Sequence, residues 1–207
     1  GDSQAGGFFP AEVKFAGFDG IVITGKADKP VYLWLHNGKA ELRDASHLWG
    51  KSTKMVDKML KDELGDPKVQ IAQVGPAAEK GVLFSSIVNM VNRNNGRTGM
   101  GTVMASKNLK AVAVRGTAKV TAADSKKILE LARQGAKDVK NNPDVDGLAV
   151  HGTASVVAYQ NDAGTLPTRN YTEGQFEGVA KISGETMTET ILKKNDTCYS
   201  CAVRCKR

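Results

Sequence analysis

At 207 residues and 41% hydrophobic content, the chain is long enough to bury the core of one domain or two small ones, which excludes disorder as the default. Its 25% charged residues leave a formal net charge of +7. Lysines and arginines alternate with acids, as at Lys58, Lys61, Asp62 and Glu63, which argues against a nucleic-acid stripe, and no stretch approaches the roughly 18 apolar residues of a membrane span.

The chain opens on Gly1-Asp2-Ser3 rather than Met and closes two residues after its last cysteine, so both ends read as cut. Gln4-Ala5-Gly6-Gly7-Phe8-Phe9 pairs two glycines with aromatic residues, suiting either a close-approach loop or a flexible end with Phe8 and Phe9 entering the core. After the turn signal Gly17-Phe18-Asp19-Gly20, the β-branched run Ile21-Val22-Ile23-Thr24 predicts a buried strand. Val31 to Leu35 and Ala40 to Arg43 predict a hairpin about the tight turn His36-Asn37-Gly38-Lys39. Ser52 or Thr53 caps a helix whose apolar residues Met55, Val56, Met59, Leu60 and Leu64 recur at helical spacing until Gly65-Asp66-Pro67.

Val69 to Val74 alternates with period two and predicts a strand, whereas Val82 to Val91 suits a short helix or a strand equally. Leu109 to Val114 predicts a further strand. Composition then shifts: Ala122 to Asn141 carries the helical stripe Ile128, Leu129, Leu131 and Ala132 behind a cap at Asp124 or Ser125, and residues 148–160 and 186–194 predict two more helices. The fold class is therefore α+β. An N-terminal mixed-sheet domain, residues 1–118, is followed by the start of a mainly helical domain, residues 119–207.

All three cysteines fall in Cys198-Tyr199-Ser200-Cys201-Ala202-Val203-Arg204-Cys205. This is no disulfide framework; it fits metal ligation in a reducing cytoplasm. Thiolates two and three residues apart supply three of the four ligands of a [4Fe–4S] cluster. A zinc site short of a ligand is the alternative, although no histidine stands at ligand spacing.

Arg93-Asn94-Asn95-Gly96-Arg97-Thr98-Gly99-Met100-Gly101, followed by Ser106-Lys107-Asn108, combines glycines that admit close approach with Arg93, Arg97 and Lys107 to bind an anion. Taken alone the run reads more readily as a solvated Gly/Asn turn, and it matches neither the dinucleotide fingerprint nor the Walker loop. His36, His47 and His151 are scattered with no acid or base partner apparent, so structural roles are expected. Tyr32, Trp34 and Phe84 lie in apolar runs that read as core.

In order along the chain, these segments resemble the aldehyde:ferredoxin oxidoreductase family. Four stretches carry the resemblance: Gly6 to Phe9 with Glu12 to Asp19; Arg43-Asp44-Ala45-Ser46-His47-Leu48-Trp49-Gly50; Gly75-Pro76-Ala77 through Asn92-Arg93; and Gly96-Arg97-Thr98-Gly99 with Ser106 to Ala111. The cysteine motif follows. The resemblance implies a tungsten or molybdenum bis-pterin cofactor cradled by the first domain, a [4Fe–4S] cluster, and Mg2+ bridging the pterin phosphates.

Carried over by motif, Arg93 and Asn94, with Gly96 and Arg97, fall where pterin phosphate binds, and Gly6 lies against the cofactor. The backbone carbonyls of Gln4 and Asn94 match the Mg2+ ligands, Gln4 standing where the family has asparagine. Cys198, Cys201 and Cys205 match three cluster ligands. The implied reaction is oxidation of an aldehyde to a carboxylate with electrons passed to ferredoxin or an electron-transfer subunit, the protein's part being positioning and electrostatics. A benzoyl-CoA reductase catalytic subunit acting on an aromatic acyl-CoA is the alternative within the family, and a non-catalytic metal-binding module the alternative outside it. A homo- or hetero-oligomer without nucleic acid or membrane is expected. The catalytic acid/base residues and the fourth cluster ligand are expected outside the segment, which alone is not catalytically competent.

Overall fold

The computed structural model describes residues 1–206. It divides into two compact units, Gly1–Thr121 and a second that begins at Ala122. In the first, β1 (Val31–His36), β2 (Lys39–Asp44), β3 (Gln70–Gln73), β4 (Ile87–Asn89), β5 (Arg93–Asn95) and β6 (Leu109–Arg115) form one sheet in the order β2-β1-β6-β3-β4-β5. The β1–β6 pair is parallel and the others are antiparallel, giving the expected mixed sheet.

The hairpin turn closes on Asn37 (φ 45°) and Gly38 (φ 80°), a two-residue loop in which both positions need left-handed backbone. β6 is central and almost wholly buried, as a strand covered on both faces must be. One face packs against α2 (Thr53–Leu64) through Tyr32, Trp34, Val56, Leu60, Ile71, Ala111 and Ala113. The register sets Tyr32 beside Ala111 and Trp34 beside Ala113, so small residues on β6 leave room for the aromatic rings of β1. The other face packs Leu35, Val74, Val112 and Val114 with Ala16, Met104 and Ala105. These last come from the end of α1 (Phe9–Phe15) and from α4 (Met100–Ser106), while the single turn α3 (Pro76–Glu79) contributes Ala78.

α2 has the predicted ends. The Ser52 side chain accepts a bond from the Met55 N–H (3.4 Å), and Gly65 turns left-handed (φ 68°) to stop it. Beneath the sheet, Lys110 is fully buried; its Nζ donates to the Val74 carbonyl (2.8 Å), the Lys51 carbonyl (3.2 Å) and Glu79. Glu79 also accepts the Gly50 N–H (2.8 Å), so this ion pair pins the 49–51 loop and α3 to β6.

The structure departs from several expectations. Ile21 to Thr24 forms no ladder, because β propensity sets a preference while pairing needs a neighbouring strand. Val82 to Val91 is mostly turn and contributes only β4, and Phe84 is 83% exposed rather than core. Phe9 does enter the core, as the first residue of α1.

In the second unit, α5 (Ser125–Lys140) starts at the predicted Asp124 cap, but Ile128, Leu129 and Leu131 are exposed. The helix expected over 148–160 is broken into α6 (Asp146–His151), a 3-10 turn and α7 (Val157–Asp162). The break falls at Gly152 (φ 64°, ψ −153°), a conformation open essentially to glycine alone. α8 (Gly184–Thr190) follows, capped by Ser183. Each histidine has a partner: His36 with Glu41 (3.0 Å), His47 with Glu63 (3.0 Å) and His151 with Thr188 (2.8 Å). The partners come from neighbouring strand or helix positions, which keeps the roles structural.

Candidate functional site

The site is built where the N-terminal segment crosses the β4–β5 hairpin. Asn89, fully buried at the end of β4, donates from Nδ2 to the Gly6 carbonyl (2.7 Å), across 83 residues of sequence. The next amide, Phe8 N–H, points at Met90 Sδ (3.1 Å). Gly7 sits buried between them with φ 85°. A Cβ there would collide with Met90 Sδ and lie 3.2 Å from Asn89 Nδ2 and 3.4 Å from Arg93 Nε. The left-handed backbone and this crowding together favour glycine where the two segments touch.

Met90 (φ 52°) and Val91 (φ 62°) at the hairpin tip are also left-handed, a strain of about 1–3 kcal/mol each for non-glycine residues. Met90 is held in it by its contacts with Gly7 and Phe8. One turn further, Thr98 Oγ1 donates to the Asp2 carbonyl (2.8 Å), fastening the start of the segment to the 97–99 turn.

This packing sets Gly6 and Gly7 against Asn89 and Arg93, and Gly1 and Asp2 against Thr98. Gln4, Gly6, Asn94, Gly96 and Arg97 are exposed, whereas Arg93 is buried at 8% exposure. Asn94 accepts the Ser86 hydroxyl proton (3.3 Å) at its side-chain oxygen, and it lies on β5, the sheet edge. Ser3 Oγ, Asn89 Oδ1 and Asn95 Oδ1 are buried with no hydrogen-bond partner among the described residues. Such atoms cost about 1–3 kcal/mol each until something satisfies them.

The glycine run divides by role. Gly96 has open space around it. By contrast, a Cβ on Gly99 would meet the Leu83 carbonyl, and one on Gly101 the Ser86 carbonyl at 2.6 Å. Those two glycines exist for packing against the 82–86 loop, and Lys107 bonds the Gly25 carbonyl (3.1 Å). Sequence reasoning missed Ser3, Asn89 and Met90; the one signal was a lone asparagine interrupting the apolar run from Val82 to Val91.

In the second unit, Cys198, Cys201 and Cys205 are half-buried cysteines on one loop. The loop is closed by a bridge between Asp196 and Lys206, with the Asp196 N–H donating to the Lys206 carbonyl (2.8 Å). Inside it the Cys201 N–H donates to the Cys198 carbonyl (3.2 Å), while Thr197 Oγ1 lies 3.0 Å from the Cys198 carbonyl and 3.1 Å from that of Cys201. Ser200 (φ 53°) and Arg204 (φ 56°) make the reversals. Among the described residues no three Cys, His, Asp or Glu side chains converge on one point. The donor set, three soft thiols in one closed loop, is nonetheless that of an iron–sulfur or zinc ligand loop. Among the described residues no helix is long and apolar enough to cross a membrane.

Comparison with known proteins matches residues 1–116 to the aldehyde ferredoxin oxidoreductase N-terminal domain and residues 130–207 to domains 2 and 3 of the same enzymes. The chain is 46% identical over 206 residues to a tungsten-containing aldehyde ferredoxin oxidoreductase of Pyrococcus abyssi, covering 99% of this chain and 34% of that protein. It is 32% identical to an aliphatic sulfonate oxidoreductase, WOR-like subunit, of Pyrococcus furiosus, covering 95% and 33%. Among solved structures, the active-site complex BamBC of benzoyl-coenzyme A reductase superposes with a TM-score of 0.76 at 32% identity, covering 97% of this chain and 32% of that one. The chain thus spans about a third of the length of these relatives.

Proposed function

This chain belongs to the aldehyde ferredoxin oxidoreductase family, and from that premise we propose that it forms the cofactor bed of an oxidoreductase converting aldehydes to carboxylates. The observation that carries the reading is the seating of Gly6-Gly7 on Asn89 and Arg93, which unites two motifs distant in sequence at one exposed edge. When bound, a tungsten (or molybdenum) bis-pterin would supply the two-electron chemistry and a [4Fe–4S] cluster the one-electron exit to ferredoxin. Every other task falls to the chain.

Arg93 and Arg97 neutralise the pterin phosphates, Arg93 from a buried position where its charge is weakly screened. The backbone carbonyls of Gln4 and Asn94 would be hard oxygen donors suited to Mg2+. A carbonyl ligand is indifferent to the side chain behind it, so glutamine at position 4 is tolerated. Gly6 and Gly96 let the ligand approach the backbone. The orphaned acceptor Asn89 Oδ1, beside Gly6, fits a heterocycle rich in N–H donors. Cys198, Cys201 and Cys205 hold three corners of the cluster, and a fourth ligand comes from outside this chain's three cysteines. Thiolate ligation of this kind belongs to a reducing cytoplasm.

The test is metal, iron, sulfide and pterin analysis of the anaerobically purified full-length protein, with aldehyde-dependent reduction of a viologen dye. About four iron and four sulfide with tungsten or molybdenum and pterin is the expected result; zinc without pterin would overturn it. The superposition on benzoyl-coenzyme A reductase favours one second reading, reduction of an aromatic acyl-CoA within a hetero-oligomer. Turnover of benzoyl-CoA but of no aldehyde would establish that instead.

A further inference from the structure

Met90 holds the N-terminal segment through its sulfur. It stands at the tip of the β4–β5 hairpin, half-buried, in left-handed backbone (φ 52°) that costs a non-glycine residue free energy and persists through its contacts. Sδ accepts the Phe8 N–H at 3.1 Å and fills the space beside Gly7 that a Cβ would need. Next to it, Asn89 Nδ2 holds the Gly6 carbonyl at 2.7 Å. Two neighbouring hairpin residues thus secure the segment, one through an amide and the other through a thioether.

The thioether is the chemically vulnerable fastening. Its sulfur carries two lone pairs, of which the Phe8 N–H occupies one and leaves the second for an electrophilic oxygen. We propose that Met90 is an oxidative modification site for peroxides, and that its sulfoxide releases the 6–9 segment from the hairpin.

In this step the sulfur lone pair attacks one peroxide oxygen, the S–O bond forms and the O–O bond breaks. The proton of the transferred oxygen passes to the departing hydroxide, which leaves as water. Sulfur gives up two electrons and the peroxide takes them. In the product, sulfur is the positive end of the S–O dipole and faces the Phe8 N–H with like polarity. Turning the new oxygen towards that N–H needs room that Gly7 already fills, so the segment lifts. Attack on the second lone pair also makes a single sulfoxide epimer, and methionine sulfoxide reductases are specific for one epimer each.

The full-length protein, treated with hydrogen peroxide and followed by peptide mass mapping, tests this. Met55 is 50% exposed and Met104 8% exposed, so Met90 should gain one oxygen more slowly than the first and faster than the second. As it does, amides 6–9 should exchange hydrogen about tenfold faster or more, on the scale of one lost buried hydrogen bond. One of the two reductase classes, and not the other, should reverse both changes. That reversal assigns the effect to methionine, because neither enzyme rebuilds an oxidised cysteine or a damaged cluster. In Met90→Leu, which keeps the volume without the sulfur, peroxide should leave exchange at residues 6–9 unchanged.

The proposal is overturned if Met90 stays a thioether after Met104 has been converted, if its sulfoxide leaves the exchange unchanged, or if both reductases repair it equally. An equal acceleration in Met90→Leu overturns it too; should that variant not fold, the reversal in the native protein decides alone. Loss of tungsten and pterin with the lifted segment rests in addition on the cofactor bed proposed above. A lifted segment that keeps both refutes that bed and leaves the Met90 site standing.

Discussion

Gly7→Ala is the sharpest test of the proposed cofactor bed. Gly7 holds φ 85°, and its absent Cβ would point into Met90 Sδ, with Asn89 Nδ2 and Arg93 Nε at 3.2 and 3.4 Å. Left-handed backbone costs an alanine about 1–2 kcal/mol. If the segment lifts to relieve the collision, Asn89 Nδ2 loses the Gly6 carbonyl. Asn89 is fully buried and its Oδ1 already lacks a partner, so the freed amide adds about 1–3 kcal/mol.

A total of about 2–5 kcal/mol corresponds to a docking equilibrium weakened by roughly 30- to 4,000-fold, at about 1.4 kcal/mol per tenfold. The expected result is a full-length protein that retains its iron but loses most of its tungsten and pterin. Gly7→Ala combined with Met90→Ala removes the collision but not the backbone strain, and should recover part of the cofactor. Full tungsten and pterin in the single variant, with an unchanged unfolding temperature, would refute the placement of the cofactor against Gly6-Gly7.

Lys110→Met strands the buried Glu79 carboxylate and should cost about 3–5 kcal/mol in denaturant unfolding, whereas adding Glu79→Gln should return a large part of it. Burial, reinforced by Glu63, pushes the Tyr32 phenol up to about 12. The folded state therefore keeps a proton that the unfolded state loses, and the resulting stability, about 2–3 kcal/mol, is complete below pH ~10 and lost as pH rises towards about 12. Denaturant titrations should show this slope in the native chain and its absence in Tyr32→Phe. Cys201→Ser should reduce iron and sulfide together while leaving tungsten and pterin in place; loss of all four in parallel would mean that the loop is structural for the bed.

Several parts of the protein were legible from local chemistry. Asn37-Gly38 dictates a two-residue hairpin because both residues tolerate left-handed backbone, and Ser52 and Gly65 bound α2 because one caps free N–H groups and the other reverses the chain. The cysteine spacing and the order of motifs pointed to the family before any fold was known.

What the tertiary structure alone decided depends on partners far away in sequence. Gly7 meets Asn89 and Arg93 across more than eighty residues, and no local propensity encodes that meeting. Gly99 and Gly101 looked like ligand glycines but serve the 82–86 loop, since a missing side chain admits backbone as readily as phosphate. Ile21 to Thr24 has the composition of a strand without a ladder, because residue type sets how a backbone prefers to extend while pairing depends on what lies beside it.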